Sequence, residues 1–184
     1  SGGEEAKNNP SILKKILHAI HTNDLCRDSV LIVVGGGAIL DVGSYAGSII
    51  HRGMKVIRIP STTLSQCDSG VAVKCGINAM GQKNMLGSFA PPAAVINDPS
   101  LLMSLHSREF QAGFSEIVKV ALLKEPSLLE KIESCSKLNL QDNLPAWSPL
   151  IADSCRLHLE HITNSGDPFE RLDARPLDLG HWSA

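Results

Sequence analysis

Residues 30–34 read VLIVV and run directly into Gly35, Gly36 and Gly37. An unbroken apolar run this short suits a parallel strand covered on both faces. The next fifteen residues, AILDVGSYAGSIIHR, carry small side chains where a helix presses onto a sheet, and KVIRI at 55–59 forms a second strand that stops at Pro60. Strand, glycine turn, helix and strand in that order make a βαβ unit, whose crossover is right-handed. This excludes an all-helical or all-antiparallel architecture. Three glycines between strand and helix let a pyrophosphate approach the backbone at a helix N-terminus. A tight turn needing positive φ explains them equally well, and the spacing is not GxGxxG.

Around this unit the chain reads in order. Asn9 and Pro10 give an N-cap followed by proline at the first helical position, and Ile12, Leu13, Ile16, Leu17 and Ile20 carry the helix to about His21. Residues 60–89 read poorly as a helix or as an ordinary surface loop. They hold a Ser-Thr-Thr cluster, one acid (Asp68), Lys74, Lys83, Asn84 and several glycines. Lysine charge with hydroxyl and backbone donors suits a phosphorylated ligand; solvated lysines on a connecting loop are the plainer alternative. A short strand follows at 93–96. Ser107 can cap a helix with Phe110, Phe114, Ile117, Val118 and Ala121 on one face. On another face Glu116 and Lys119 stand three apart, flanked by Ala112, Val120 and Leu123. They form either a surface ion pair or a carboxylate and an amine held inward. Further helices are expected after Pro126 and from about Pro149 to Ile162, with a polar connection at 137–145.

Composition sets the outer limits. The chain has 184 residues, is 43% hydrophobic and carries a net charge of −2 with no basic block, so nucleic acid is not an expected partner. No apolar run approaches the roughly 20 residues a membrane span requires, and the polar N-terminus is not a signal peptide. Cys26, Cys67, Cys75, Cys135 and Cys155 are odd in number and lack CxxC spacing, which favours reduced thiols and a cytoplasmic setting. Of seven histidines, His18, His21, His51 and His106 read as surface or satisfied core. His181, after a glycine in a mixed-polarity turn, pairs chemically with Glu116 as a carboxylate and imidazole set for a metal. Spacing alone does not join them.

Taken together these motifs resemble the dehydroquinate synthase family of sugar phosphate cyclases, nearly end to end. The segments are Gly3-Glu4-Glu5-Ala6-Lys7, the strand-GGGxxxD of 34–41, Arg52-Gly53, Pro60-Ser61-Thr62 followed by Asp68 and Lys74, Gln82-Lys83-Asn84, RExxxGxxExxK at 108–119, and Gly180-His181. The resemblance implies an α/β fold, with a Rossmann-like nucleotide-binding parallel sheet over 1–104 and an α-helical metal-binding domain over 105–184, both partial. It implies that Glu4, Lys7, Gly36, Gly37, Asp41, Ser61 and Thr62 contact NAD, with Lys74 and Lys83 near the cofactor. Asp68, Lys74, Asn84 and Lys119 would hold a sugar phosphate, and Arg52 would reach a phosphate, in a neighbouring subunit of a homodimer. Glu116 and His181 would be two of three ligands to a divalent metal, zinc or cobalt, the third lying downstream. The implied reaction is a cyclisation with phosphate loss: transient oxidation, elimination, reduction and aldol closure.

Departures from the pattern are part of the expectation. His158 stands where dehydroquinate synthases have a lysine, and Asp178 where they have an asparagine. Arg175 is displaced by one position, Ala72-Val73 replaces a glycine pair, and GHWSA replaces the common GHTxGH. They suggest a relative acting on another seven-carbon sugar phosphate, such as sedoheptulose 7-phosphate. The chain also reads as a truncated half that does not turn over alone. A metal-dependent alcohol or glycerol dehydrogenase, or a non-catalytic NAD-binding fragment, stays open as an alternative.

Overall fold

The computed structural model describes residues 2–136, 143–164 and 169. Two compact units share the chain: Ser1–Ser61 with Ala72–Asn97, and Thr62–Val71 with Asp98–Ala184. Segments 62–71 and 98–104 join the second unit because Cys67 and Leu102 are fully buried in its core.

The first unit is α/β. Helices α1 (Glu5–Asn8) and α2 (Pro10–Thr22) lead to β1 (Val30–Gly35), α3 (Gly37–Ile49), β2 (Lys55–Pro60), β3 (Lys74–Ala79), β4 (Gln82–Phe89) and β5 (Ala94–Val95). Asn9 caps α2, its side chain accepting from the Ser11 N–H at 3.0 Å. β1, β2 and β5 form a parallel sheet with β2 in the middle, while β3 and β4 pair as a separate antiparallel hairpin. The hairpin turns through Met80 (φ 53°) and Gly81 (φ 74°), two successive positive φ values of the kind a two-residue hairpin turn requires.

Helix α3 lies close on the sheet because its contact residues have no side chain. A Cβ on Gly43 would stand 2.6 Å from Val33, and one on Gly47 2.5 Å from Val56. Leu31, Val33, Leu40 and Val56 pack in this layer; Ala6, Val42 and Ile77, joined by Ile12, Leu13 and Ile16, form the core next to it. Arg58, in the middle of β2, is also buried; its guanidinium donates to Ser44 Oγ at 2.8 Å and to the Ala72 carbonyl at 2.5 Å. One expectation fails here. Only one face of β1 is covered: Val30, Ile32 and Val34 are 45%, 58% and 54% exposed. The apolar run satisfies a two-sided strand, but this chain supplies a helix on one side.

The second unit is helical: a 3₁₀ segment at Pro99–Ser104, then α4 (Ser107–Ala112), α5 (Phe114–Lys124), α6 (Ser127–Ser136) and α7 (Leu144–Asn164). Its core joins Phe110, Ile117, Ala121, Leu128, Trp147, Leu150 and Ile151, with the Phe114 ring centroid 4.3 Å from Trp147 in an edge-to-face arrangement. His106 rather than Ser107 caps α4, its Nδ1 accepting from the Arg108 N–H at 3.3 Å. α7 begins at Leu144, not near Pro149. Pro149 thus lies inside the helix, past its first turn, where it removes one intrahelical hydrogen bond. Among the described residues no helix is long and apolar enough to cross a membrane.

Candidate functional site

In the α/β unit the polar residues gather around one lysine. α1 buries Lys7, whose ammonium bonds Asp41 Oδ2 on α3 at 2.5 Å and also meets Asn84 Oδ1 on β4. Asn84 has positive φ, next to the irregular β3–β4 register, and its N–H donates to Asn78 Oδ1 at 2.9 Å. Asn78 in turn donates to Glu4 Oε1 and Asn8 Oδ1, each at 2.8 Å. Thus Glu4, Lys7, Asp41 and Asn84, named separately from sequence, form one network, and Asn78 is a member that sequence reasoning missed. Its only sequence signal was its place two residues before the hairpin turn. Burial raises the Asp41 carboxyl above its ordinary value, with Lys7 pulling the other way. A cleft of about 410 Å³ borders the network, lined by Glu4, Asn8, Asn78 and Lys83 among others.

Gly36 is the N-cap of α3, with φ −76° and no side-chain cap. Positive φ is therefore not what these glycines provide. Gly35 is needed for space, since a Cβ there would stand 2.7 Å from Ile39. The uncapped N–H groups of the first turn fit an anionic group such as a pyrophosphate. The Ser61 N–H donates to the Gly35 carbonyl at 2.9 Å, which holds the end of β2 beside that turn. Lys74 and Lys83 lie exposed on the hairpin strands. Arg52 lies elsewhere in the unit, at positive φ (64°) in a turn bordering a second cleft with Arg27 and Lys55.

In the helical unit, segment 62–71 is held by its own caps. Thr62 Oγ1 accepts from the Ser65 N–H and Ser65 Oγ from the Thr62 N–H, both at 3.2 Å, so the Thr62 hydroxyl is engaged in the turn. A single π-helical turn follows at Ser65–Ser69, a form often found at functional sites. It sinks Cys67 into the core, where burial pushes the thiol up, and turns Asp68 toward α7. The turn approaches the α4–α5 junction closely enough that a Cβ on Gly113 would meet Thr63 Cβ and the Leu64 nitrogen at 2.4 Å.

Four functional groups converge here. Lys119 Nζ bonds Glu116 Oε1 at 2.6 Å, with side chains 9% and 7% exposed. The i,i+3 pair is therefore inward, as its apolar neighbours suggested. His158, on α7, is 3% exposed, with Nε2 3.4 Å from Asp68 Oδ1 and Nδ1 3.9 Å from Glu116 Oε1. One ligand atom each from Asp68, Glu116 and His158 lies within 4.8 Å of the others. Bonds of about 2.0–2.2 Å around a tetrahedral ion place ligands about 3.4 Å apart, closer than this group stands, and its two short His158 distances use opposite ring nitrogens. The sequence pointed to His158 as a departure from a motif and as one of an i,i+3 pair with His161. Its α7 period with Ile151, Ser154 and Ile162, all buried, is the signal that marks it as inward. Gly180, His181 and Asp178 lie outside the described residues. Asp68, Glu116 and Lys119 belong to the helical unit and Lys74 and Asn84 to the α/β unit.

Comparison with known proteins accords with this pair of units. A 3-dehydroquinate synthase from Bartonella bacilliformis is 38% identical over 179 residues, which are 97% of this chain and 46% of that protein. Among solved structures, a 2-epi-5-epi-valiolone synthase from Streptomyces hygroscopicus subsp. jinggangensis, with NAD+ and Zn2+ bound, superposes with a TM-score of 0.89 at 27% identity. The match covers 98% of this chain and 50% of that one. A 2-deoxy-scyllo-inosose synthase gives a TM-score of 0.80 at 26% identity, over 98% and 49%. The chain spans about half the length of the relatives it matches. Residues 1–112 match the 3-dehydroquinate synthase N-terminal family model and residues 113–184 the C-terminal one, so the chain belongs to the 3-dehydroquinate synthase family.

Proposed function

We propose that this chain is part of an NAD- and divalent-metal-dependent sugar phosphate cyclase, a lyase that closes a carbocycle from a seven-carbon sugar phosphate with loss of phosphate. The observation that carries this reading is the group of buried Glu116, Lys119 and His158 with partly exposed Asp68 beside them. A simple alcohol substrate needs no such charged assembly. It is supported by the family membership and by the structural likeness to a synthase solved with NAD+ and Zn2+.

When bound, NAD takes up and returns a hydride, and a zinc or cobalt ion polarises the substrate oxygen as a Lewis acid. Glu116, with His181 by family resemblance, would hold the ion. Glu4, Lys7, Gly36, Gly37, Asp41, Ser61 and Thr62 are the NAD residues of this reading. Lys7, tied to Asp41 and Asn84, fixes the orientation of that wall. Lys74 and Lys83 add positive charge for phosphate, and Lys119 and Asn84 orient hydroxyls. Asp68 accepts from the substrate, and Arg52 serves a phosphate across a homodimer interface. A positioned ammonium, not solvent, then meets the charge that grows on the departing phosphate.

His158 bears on the substrate. The resemblance expects a lysine at this position, and an imidazole facing two carboxylates offers much less positive charge to a carboxylated sugar. Sedoheptulose 7-phosphate, which has no carboxylate, is accordingly the preferred substrate. A reducing, cytoplasmic setting belongs to the same proposal, from the odd number and spacing of the five cysteines. The test is phosphate release by a full-length protein with NAD and zinc or cobalt, on sedoheptulose 7-phosphate and on the carboxylated heptulosonate 7-phosphate in parallel. Release from the first alone is expected. Release from the second alone overturns the substrate assignment, and NADH accumulation without phosphate from either overturns the cyclase. The 184 residues alone are expected to release none.

A further inference from the structure

We propose that Asn78 is a positioning residue of the wall that Glu4, Lys7, Asp41 and Asn84 form in the α/β unit. Its one side-chain amide fixes the Glu4 carboxylate at one end and the bulge that carries Asn84 at the other. This rests on the reading of that wall as part of the cofactor site and extends it to a residue that the family resemblance leaves unassigned.

Three observations carry it. The β3–β4 ladder pairs Ile77 with Leu86 and Ala79 with Gln82, so Asn78 alone stands opposite Lys83, Asn84 and Met85. Backbone groups in such a bulge lose their ladder partners and need others. The Asn84 N–H donates to Asn78 Oδ1 at 2.9 Å, and Asn84 holds φ 55°, a left-handed conformation that asparagine adopts more readily than most residues. The Asn78 side chain thus stands in for a backbone acceptor and holds Asn84 where its own amide meets Lys7. Next, the donor end of the same amide is fully engaged: Nδ2 donates to Glu4 Oε1 and to Asn8 Oδ1, each at 2.8 Å. A flipped amide would set its oxygen against a carboxylate and its nitrogen against an N–H, so the partners fix its orientation. Finally, Glu4 and Asn8 bracket α1, a helix of four residues, too short to hold its shape unaided. One amide on a strand more than sixty residues away ties both of its ends. These bonds lie at an exposed edge, where hydrogen bonds add only modestly to stability. What they fix is where Glu4 and Asn84 point.

The experiment reads NAD binding by calorimetry and amide exchange by NMR, both on the full-length protein. Asn78→Asp keeps the side chain's size and its acceptor for the Asn84 N–H, but turns a carboxylate oxygen on Glu4. It should raise the Kd for NAD about tenfold, with the far-UV circular dichroism unchanged. In a protein that already carries Glu4→Gln the same substitution should cost much less, because the glutamine amide can donate to the new carboxylate. Such non-additivity marks an effect that runs through Glu4, whereas general damage to the fold gives additive losses. Asn78→Ala should in addition speed exchange of the Asn84 amide about tenfold or more while the β1–β2 amides exchange as in wild type. An NAD affinity untouched by Asn78→Asp, additive losses in the cycle, or an Asn84 amide as protected in Asn78→Ala as in wild type each overturns the proposal and leaves the cofactor reading intact. Conversely, a wild-type protein that binds no NAD, beside an Asn84 amide freed by Asn78→Ala, keeps the positioning role and removes NAD as the ligand of this wall.

Discussion

Two buried lysines anchor the two units, and they are built in opposite ways. Lys119 pairs with Glu116 one helical turn away, and both side chains are less than a tenth exposed. Lys7 reaches Asp41 and Asn84, 34 and 77 residues along the chain, and the Asp41 side chain keeps a quarter of its surface in water. The local pair is positioned by one helix and then enclosed by the 62–71 turn and α7. The distant one itself ties a helix, a sheet-packing helix and a hairpin together. Carboxylate and imidazole groups beside the first suit a cation. Amide and carboxylate groups around the second suit a ligand rich in hydroxyls and phosphates.

The sharpest way to break this contrast is to remove each cation in turn. Lys119→Met takes the ammonium from Glu116, whose side chain is only 7% exposed, and should cost about 3–5 kcal/mol of stability. Lys7→Met should cost less, about 2 kcal/mol, because Asp41 can turn to water. Chemical denaturation, read by Trp147 fluorescence for the helical unit and hydrogen exchange of β1–β2 amides for the α/β unit, measures both. Equal losses would mean that enclosure matters no more than exposure.

Next in size is Gly113→Ala. The added methyl group meets backbone at 2.4 Å, a clash that a rotamer change cannot relieve, and about 2–3 kcal/mol of destabilisation is expected. Because this contact seats the first turn of α5, which bears Glu116, Co(II) affinity should fall as well, while exchange in the α/β unit stays as in wild type. A stable variant with unaltered metal affinity would show that the first turn of α5 is positioned by something else.

The smallest effect is a pH dependence confined to the α/β unit. Burial raises the Asp41 carboxyl from its ordinary 3.8, so the folded state holds a proton that the unfolded state releases first. That contribution is fully present below 3.8 and is lost as pH rises through the higher folded value. Asp41→Asn should flatten this part of the stability profile, read by exchange of β1–β2 amides from pH 3 upward. An unchanged slope would mean that Lys7 outweighs burial at this carboxylate.

Much of this was legible in the chain. Periodicity alone marks α2 and α5, and the apolar runs at 30–34 and 55–59 mark β1 and β2, because local spacing dictates which face of a helix or strand is apolar. The flanking alanine, valine and leucine of Glu116 and Lys119 likewise foretell an inward pair. Less legible were residues whose neighbours are far away in sequence. Asn78 looks like any hairpin residue until Glu4 and Asn84 are beside it. Nothing in the strand KVIRI marks Arg58 as buried until Ser44 and the Ala72 carbonyl close over it.

Sequence by itself determined the βαβ unit, the helical second half and the motifs that place the chain in its family, since each depends on short-range pattern and ordered spacing. Only the tertiary structure decided that residues 62–71 belong with the helices, that one face of β1 stays open, and that His158 stands between Asp68 and Glu116. Those are matters of which surfaces find a partner, and burial is a property of the whole packed unit rather than of any segment's own pattern.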